Sequence, residues 1–171
     1  MSDSNGGGLF LYSQVAELQD VSISDSLAEN YGGGLAGYVA TGVLDRVTIA
    51  DNTATFGWGG GVATYGSNTR LTLTETTITE NTSDLYGPGV WTYGDVNCEG
   101  SATSDAGVFD NTSALYDDHQ IYVYYSGDWS SDTCDDADST GADAGIRTYY
   151  GGLSLEVGDD ATFACDDTSC G

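Results

Sequence analysis

Lysine is missing from this chain, and only Arg46, Arg70 and Arg147 bear permanent positive charge against 27 Asp and Glu, a formal net charge of -24. A chain so depleted of cations has no basic footprint for nucleic acid. An anionic membrane surface repels it as well. Proline occurs once, at Pro88, and histidine once, at His119. No apolar run reaches the length of a membrane-spanning helix. Met1-Ser2-Asp3-Ser4 has neither the basic start nor the apolar core of a signal peptide. The chain opens almost directly on a repeat, so it reads as a mature segment or a piece of a longer secreted protein. Its acidity suits salty or extracellular surroundings, through colloidal repulsion.

Acidic chains poor in apolar residues stay disordered. Here 39% of residues are hydrophobic and 12 are tyrosine, and they recur at regular positions, so a folded chain is expected. The 25 glycines recur too. Gly6-Gly7-Gly8-Leu9-Phe10-Leu11-Tyr12 returns as Gly32-Gly33-Gly34-Leu35-Ala36-Gly37-Tyr38, as Gly59-Gly60-Gly61-Val62-Ala63-Thr64-Tyr65 and as Gly87-Pro88-Gly89-Val90-Trp91-Thr92-Tyr93. Ile121-Tyr122-Val123-Tyr124 and Gly145-Ile146-Arg147-Thr148-Tyr149 are looser copies. The closing tyrosines, Tyr12, Tyr38, Tyr65, Tyr93, Tyr124 and Tyr149, are spaced by 26, 27, 28, 31 and 25 residues. A second column holds Ile23, Ile49, Ile78 and Val108. An acid follows it (Asp25, Asp51, Glu80, Asp110), then Ser26, Asn52, Asn81 and Asn111. Tyr31, Trp58 and Tyr86 precede three of the glycine triplets.

Self-similarity at such a period is the signature of a solenoid. Short alternating stretches such as Val47-Thr-Ile49 and Leu71-Thr-Leu73 read as strands with one face inward. One repeat cannot bury that face alone, but stacked repeats can. The expected fold is all-β: a parallel β-helix of about six rungs with three short strands per rung. At a strand spacing of about 4.8 Å the body would be roughly 29 Å long. Glycine serves the corners because it adopts positive φ without steric cost. The Asn and Asp columns suit the same corners, and stacked asparagines can hydrogen-bond along the ladder.

Leu9, Leu35, Val62, Val90, Ile121 and Ile146 are expected to point inward, with Leu11, Thr64, Thr92, Val123 and Thr148. The tyrosine column then lies outside, beside Phe10, Ala36, Ala63, Trp91, Tyr122 and Arg147. The chain forms a single domain over 1–171. Regular rungs fill 1–125, an acidic insertion occupies 126–145, and last rungs with a closed C-terminus fill 146–171. Residues 100–107 form a smaller loop.

Asn52-Thr-Ala-Thr-Phe-Gly-Trp-Gly-Gly-Gly-Val and Asn81-Thr-Ser-Asp-Leu-Tyr-Gly-Pro-Gly-Val resemble the repeats of right-handed parallel β-helix proteins of the pectin-lyase-like superfamily. They look closest to the Asn-x-Ala and Gly-Gly-Gly repeats of bacterial surface proteins and polymorphic outer-membrane proteins. The likeness covers residues 5–125 well and the rest loosely. That superfamily includes polysaccharide lyases and hydrolases, phage tailspikes, adhesins and passenger domains, so the resemblance implies an extracellular or cell-surface setting.

Cys98, Cys134, Cys165 and Cys170 are even in number, which in an acidic, lysine-free chain suggests disulfides and an oxidising compartment. Cys165 with Cys170 would close a small loop, and Cys98 with Cys134 would tie successive repeats. Their spacing is not that of paired zinc knuckles. Asp136, Asp138, Thr140 and Asp143, with Gly141, resemble the first half of a calcium loop. Arg147 stands where the bidentate Glu belongs, so calcium is a candidate cofactor on an incomplete pattern. The acid column Asp25, Asp51, Glu80 and Asp110 offers paired carboxylates of the kind glycoside hydrolysis needs, though repeated turns produce such a ladder anyway. His119 falls where a glycine triplet belongs. Asn81-Thr-Ser83 and Asn111-Thr-Ser113 match glycosylation sequons within the turn column. The aromatic ladder of Tyr12, Tyr38, Tyr65, Trp91, Tyr93, Tyr122, Tyr124 and Tyr149 is the expected ligand-facing or partner-facing stripe.

The functional expectation is a non-catalytic extracellular structural or adhesive solenoid. It would stack end to end on copies of itself or on further repeats of a parent chain. The alternative is a polysaccharide-binding or polysaccharide-cleaving β-helix.

Overall fold

The computed structural model describes residues 4–66, 69–93, 95–99, 107–114, 121–123 and 146–148. Among these every regular element is a strand. The first turn holds β1 (Leu9–Gln19), β2 (Ser22–Ser24) and β3 (Leu27–Ala28). The second holds β4 (Leu35–Asp45), β5 (Thr48–Ala50) and β6 (Thr53–Ala54). In the third the long side is split into β7 (Val62–Tyr65) and β8 (Arg70–Thr74), followed by β9 (Thr77–Thr79) and β10 (Thr82–Ser83). The fourth repeats that split as β11 (Val90–Thr92) and β12 (Asp95–Glu99), with β13 (Gly107–Phe109) and β14 (Thr112–Ser113). β15 (Ile121–Val123) and β16 (Ile146–Thr148) continue the long side.

Every ladder is parallel and joins a strand to its counterpart one turn on. The result is one eight-stranded sheet, β1-β4-β7-β11-β15-β16 with β8 also beside β4 and β12 beside β8, and two four-stranded sheets, β2-β5-β9-β13 and β3-β6-β10-β14. Leu9, Leu35, Val62 and Val90 stand in one register, about three complete turns of a parallel β-solenoid. The later rungs expected from the sequence are represented among the described residues by β15 and β16, which extend that register through Ile121 and Ile146.

Stacked columns fill the interior. Ile49, Ile78 and Val108 are fully buried above Ile23, and Leu35, Val62, Val90 and Ile121 form a second buried column. Thr64 and Thr92, also inward, pair hydroxyl to hydroxyl at 2.7 Å. Each large apolar side chain that such a column buries completely contributes about 1.5–3 kcal/mol.

Three columns of left-handed backbone set the corners. Gly6, Gly32, Gly59 and Gly87 open each turn with φ of 60–66°. Behind Gly32, Gly33 lies so close to the next turn that a Cβ would stand 2.4 Å from the Gly60 carbonyl oxygen. The acid column Asp25, Asp51, Glu80 and Asp110 has φ of 53–57°, so these residues are the corner between the second and third sheets. A third column, Asp20, Arg46 and Glu75, has φ of 46–54° and turns the chain out of its long side. Its chemistry alternates acid, base, acid, so it leaves no recurring residue type in the sequence. For Arg46 and Glu75 the left-handed conformation costs roughly 1–2 kcal/mol each, offset by the sheets that meet there.

The long side itself bends. Inward positions are odd at Leu9 and Leu11 and even at Ala16 and Leu18. The ladder to β4 passes from Ser13↔Val39 to Val15↔Thr41 across that change. The expected short strand is therefore an 11-residue strand folded around a corner.

Candidate functional site

The expected aromatic stripe exists, and the turns above and below decide how much of it is open. Tyr12, Tyr38 and Tyr65 are register partners. The Tyr38 and Tyr65 rings stack at 4.7 Å, and Tyr12 follows at 5.9 Å with a 54° tilt. Exposure falls along the file from 83% at Tyr12 to 47% at Tyr38 and 8% at Tyr65. Tyr93 is half-buried and meets Trp91 edge to face at 5.1 Å. The neighbouring column, Phe10, Ala36, Ala63, Trp91, Tyr122 and Arg147, also keeps its expected register. Tyr124 and Tyr149 lie outside the described residues.

One expectation needs correction. Trp91, placed on an outer ligand-facing ladder, is only 4% exposed, and Ala36 and Ala63 are fully buried. The cause is a second apolar layer outside the coil. Tyr31, Trp58 and Tyr86, which precede the glycine triplets, pack over Ala36, Ala63 and Trp91. Tyr31 stacks on Trp58 at 4.7 Å, and Trp58 lies 5.9 Å from Trp91. Tyr65 is sealed beneath them, 5.0 Å from Tyr31 and 5.4 Å from Trp91. The sequence carried a signal for this layer: alanine at two outward positions, with an aromatic before each triplet.

Burial raises the Tyr65 phenol well above its ordinary range, with the phenols of Tyr31, Tyr38 and Tyr93 adding to the effect. Its hydroxyl makes no hydrogen bond among the described residues. Burial also raises Tyr31. The Tyr31 and Tyr65 phenols therefore hold their protons, and the layer is an apolar packing unit. What remains open is the group Phe10, Tyr12 and Tyr38, in which the Phe10 ring lies 6.4 Å and the Tyr12 ring 5.9 Å from that of Tyr38.

The asparagine column is internal. Asn52, Asn81 and Asn111 are 0%, 0% and 1% exposed. The Asn81 Oδ1 accepts from the backbone N–H of Asn52 at 3.0 Å and from its Nδ2 at 2.9 Å; Asn111 does the same for Asn81. The Asn81 Nδ2 also donates to the carbonyls of Ile49 and Thr79. The ladder begins at Ser26, whose N–H donates to the Asn52 Oδ1. In the folded coil neither sequon asparagine offers its amide to a modifying enzyme, since both side chains are enclosed.

The carboxylates of Asp25, Asp51, Glu80 and Asp110 are exposed at their corner. Among the described residues no group of three His, Cys, Asp or Glu side chains converges on a metal position. Arg46 is committed to its neighbours: its Nε and Nη2 reach the Asp20 carboxylate at 2.8 and 3.1 Å, and its Nη1 reaches Asp45 at 2.8 Å. The hydrogen bond from Arg46 holds the Asp20 carboxyl below the usual range. Arg70 and Arg147 sit at other phases, in register with Thr41 and with Tyr122. A void of about 10 Å³ lies in the interior between Leu11, Ala16, Leu18 and Gly42. That is room for about one water and no more, and its lining is apolar, so it stays dry.

Cys98 lies on β12 in register with Leu73. Cys134, Cys165 and Cys170 fall outside the described residues, as do His119 and the calcium-like set Asp136, Asp138, Thr140 and Asp143. No protein family, curated protein or solved structure matches the chain.

Proposed function

We propose that this chain is a structural β-solenoid acting outside the cell or at its surface, a stiff repetitive body without catalytic chemistry. One observation carries the reading. The polar columns that a catalytic reading would use have a structural origin: the acids recur because their backbone forms the left-handed corner of each turn, and the asparagines bond from turn to turn in the interior. The likeness of the repeats to those of bacterial surface proteins and the pectin-lyase-like superfamily supports the extracellular setting. Its partners, on this reading, are other coils. Incubation with neutral and acidic polysaccharides should release no cleavage product. Cleavage that disappears in Asp51→Asn or Glu80→Gln overturns the reading.

A second reading, a glycan-binding module, is favoured by the open ring group of Phe10, Tyr12 and Tyr38. Flat aromatic faces take the apolar face of a sugar ring, and a chain this acidic favours neutral glycans over anionic ones. Binding lost in Tyr38→Ala and retained in Phe56→Ala, an exposed aromatic elsewhere on the coil, would establish it.

A further inference from the structure

β1 ends the eight-stranded sheet, and among the described residues it pairs with β4 alone. Its other edge is a row of backbone donors and acceptors 11 residues long, with no strand beside it among the described residues. Edges of that length template pairing with another chain. The core is open at the same place. Leu9, Leu18 and Val21 are only partly buried, whereas their equivalents one turn on, Leu35, Leu44 and Val47, are 1–3% exposed.

The edge is self-complementary. From Leu9 to Leu18 the half-buried positions are Leu9, Leu11, Ala16 and Leu18, and all positions between them are exposed. That pattern is a palindrome centred between Ser13 and Gln14, where the strand bends. An antiparallel copy centred on the same point sets Leu9 opposite Leu18 and Leu11 opposite Ala16 on the inner face. On the outer face it sets Tyr12 opposite Val15 and Phe10 opposite Glu17. A one-residue slip sets Leu9 opposite Glu17 or Gln19 and takes Leu11 off Ala16, which fixes the register. Charge agrees: Glu17 is the sole charged residue of β1, and it meets Phe10, not its own copy. Like charges placed opposite would oppose association.

We propose that this edge is an interface between two copies of the chain, joined head to head about a twofold axis through the bend of β1. Such an isologous contact closes the assembly at two and covers the strand edge and the open core end together. It deepens the scaffold reading by naming the partner and its face.

Sedimentation of the purified chain tests it. The expected species is a dimer. Tyr12→Lys and Val15→Glu, at positions 83% and 65% exposed, spare the core. Each should weaken the dimer about tenfold or more. The double variant should restore it, because the new lysine of one copy meets the new glutamate of the other. Three results overturn the proposal: a monomer at about 100 µM, well above the dissociation constant of a specific interface; species that keep growing with concentration, the mark of head-to-tail stacking; or a dimer indifferent to both single variants. A monomer leaves the scaffold reading standing, and polysaccharide cleavage removes that reading without touching this interface.

Discussion

Leu18, Leu44 and Leu73 stand one above another in a single column. Leu18 is only partly covered, while Leu44 is 2% and Leu73 0% exposed. The outer stripe grades the same way from Tyr12 to Tyr65. Residues of one type at one phase of the repeat thus have different environments in the first turn and the third. In a solenoid a side chain is buried by the turns on either side of it, so stability is a sum of neighbour terms, and among the described residues the first turn has a neighbour on one side only.

Substitutions along one column should expose that difference, most strongly in the core. Leu73→Ala should lower unfolding stability by about 2–5 kcal/mol, because a filled site becomes a cavity between fixed neighbours. Leu18→Ala should cost about 1 kcal/mol or less, since the removed methyl groups were half in water. Urea midpoints decide it, and equal losses would mean that the first turn is covered as well as the third.

The polar ladder gives the next contrast. Asn81→Ala removes the acceptor of two Asn52 donors and leaves the Ile49 and Thr79 carbonyls without their amide. A loss of about 2–3 kcal/mol is expected. Ser26→Ala, at the ladder's open end, removes only an exposed hydroxyl bonded to the Ser24 carbonyl at 3.1 Å and should cost about 0.5 kcal/mol.

Tyr65 and Tyr12 differ in the sealing of the hydroxyl. Tyr65→Phe removes a buried group without a hydrogen bond, so stability should hold or rise by about 1 kcal/mol. Tyr12→Phe should change nothing measurable. The pH dependence follows from the raised Tyr65 phenol. In the unfolded chain the phenol ionises near pH 10, and in the fold it holds its proton. Its contribution is therefore complete below that pH and lost as pH rises beyond it. Tyr65→Phe should flatten the alkaline fall in stability, as seen by thermal unfolding at a series of pH values.

The smallest effect belongs to the exposed pair of Asp20 and Arg46, which joins the first turn to the second. The folded-state carboxyl is depressed, so what it contributes is present above the ordinary carboxylate range and lost as pH falls through it. Asp20→Asn should lower the melting temperature slightly at neutral pH and low salt. The difference should vanish in acid or in molar salt, where exposed charges are screened.

Much of this was legible without coordinates. The inward columns of Ile23, Ile49, Ile78 and Val108 and of Leu35, Val62 and Val90 recur at one phase in one chemistry, and stacking makes each its neighbour's environment. The acid corner was legible because Asp recurs where a left-handed residue is needed. The corner at Asp20, Arg46 and Glu75 was not, because φ is shared there while the side chain is not. Nor was the sealing of Trp91 and Tyr65. Alternation along one strand tells which way a residue points from the sheet, and says nothing of Tyr31, Trp58 and Tyr86 folding across from the segment before it.

The sequence by itself determined the winding: its period, its register, and which face of each strand turns inward, since a repeat that cannot bury itself must stack on its likeness. Only the tertiary structure decided how open each outer residue is and where the long side bends. Those depend on side chains arriving from preceding segments and on whether a further turn lies beyond, and neither is a property of any local stretch of chain.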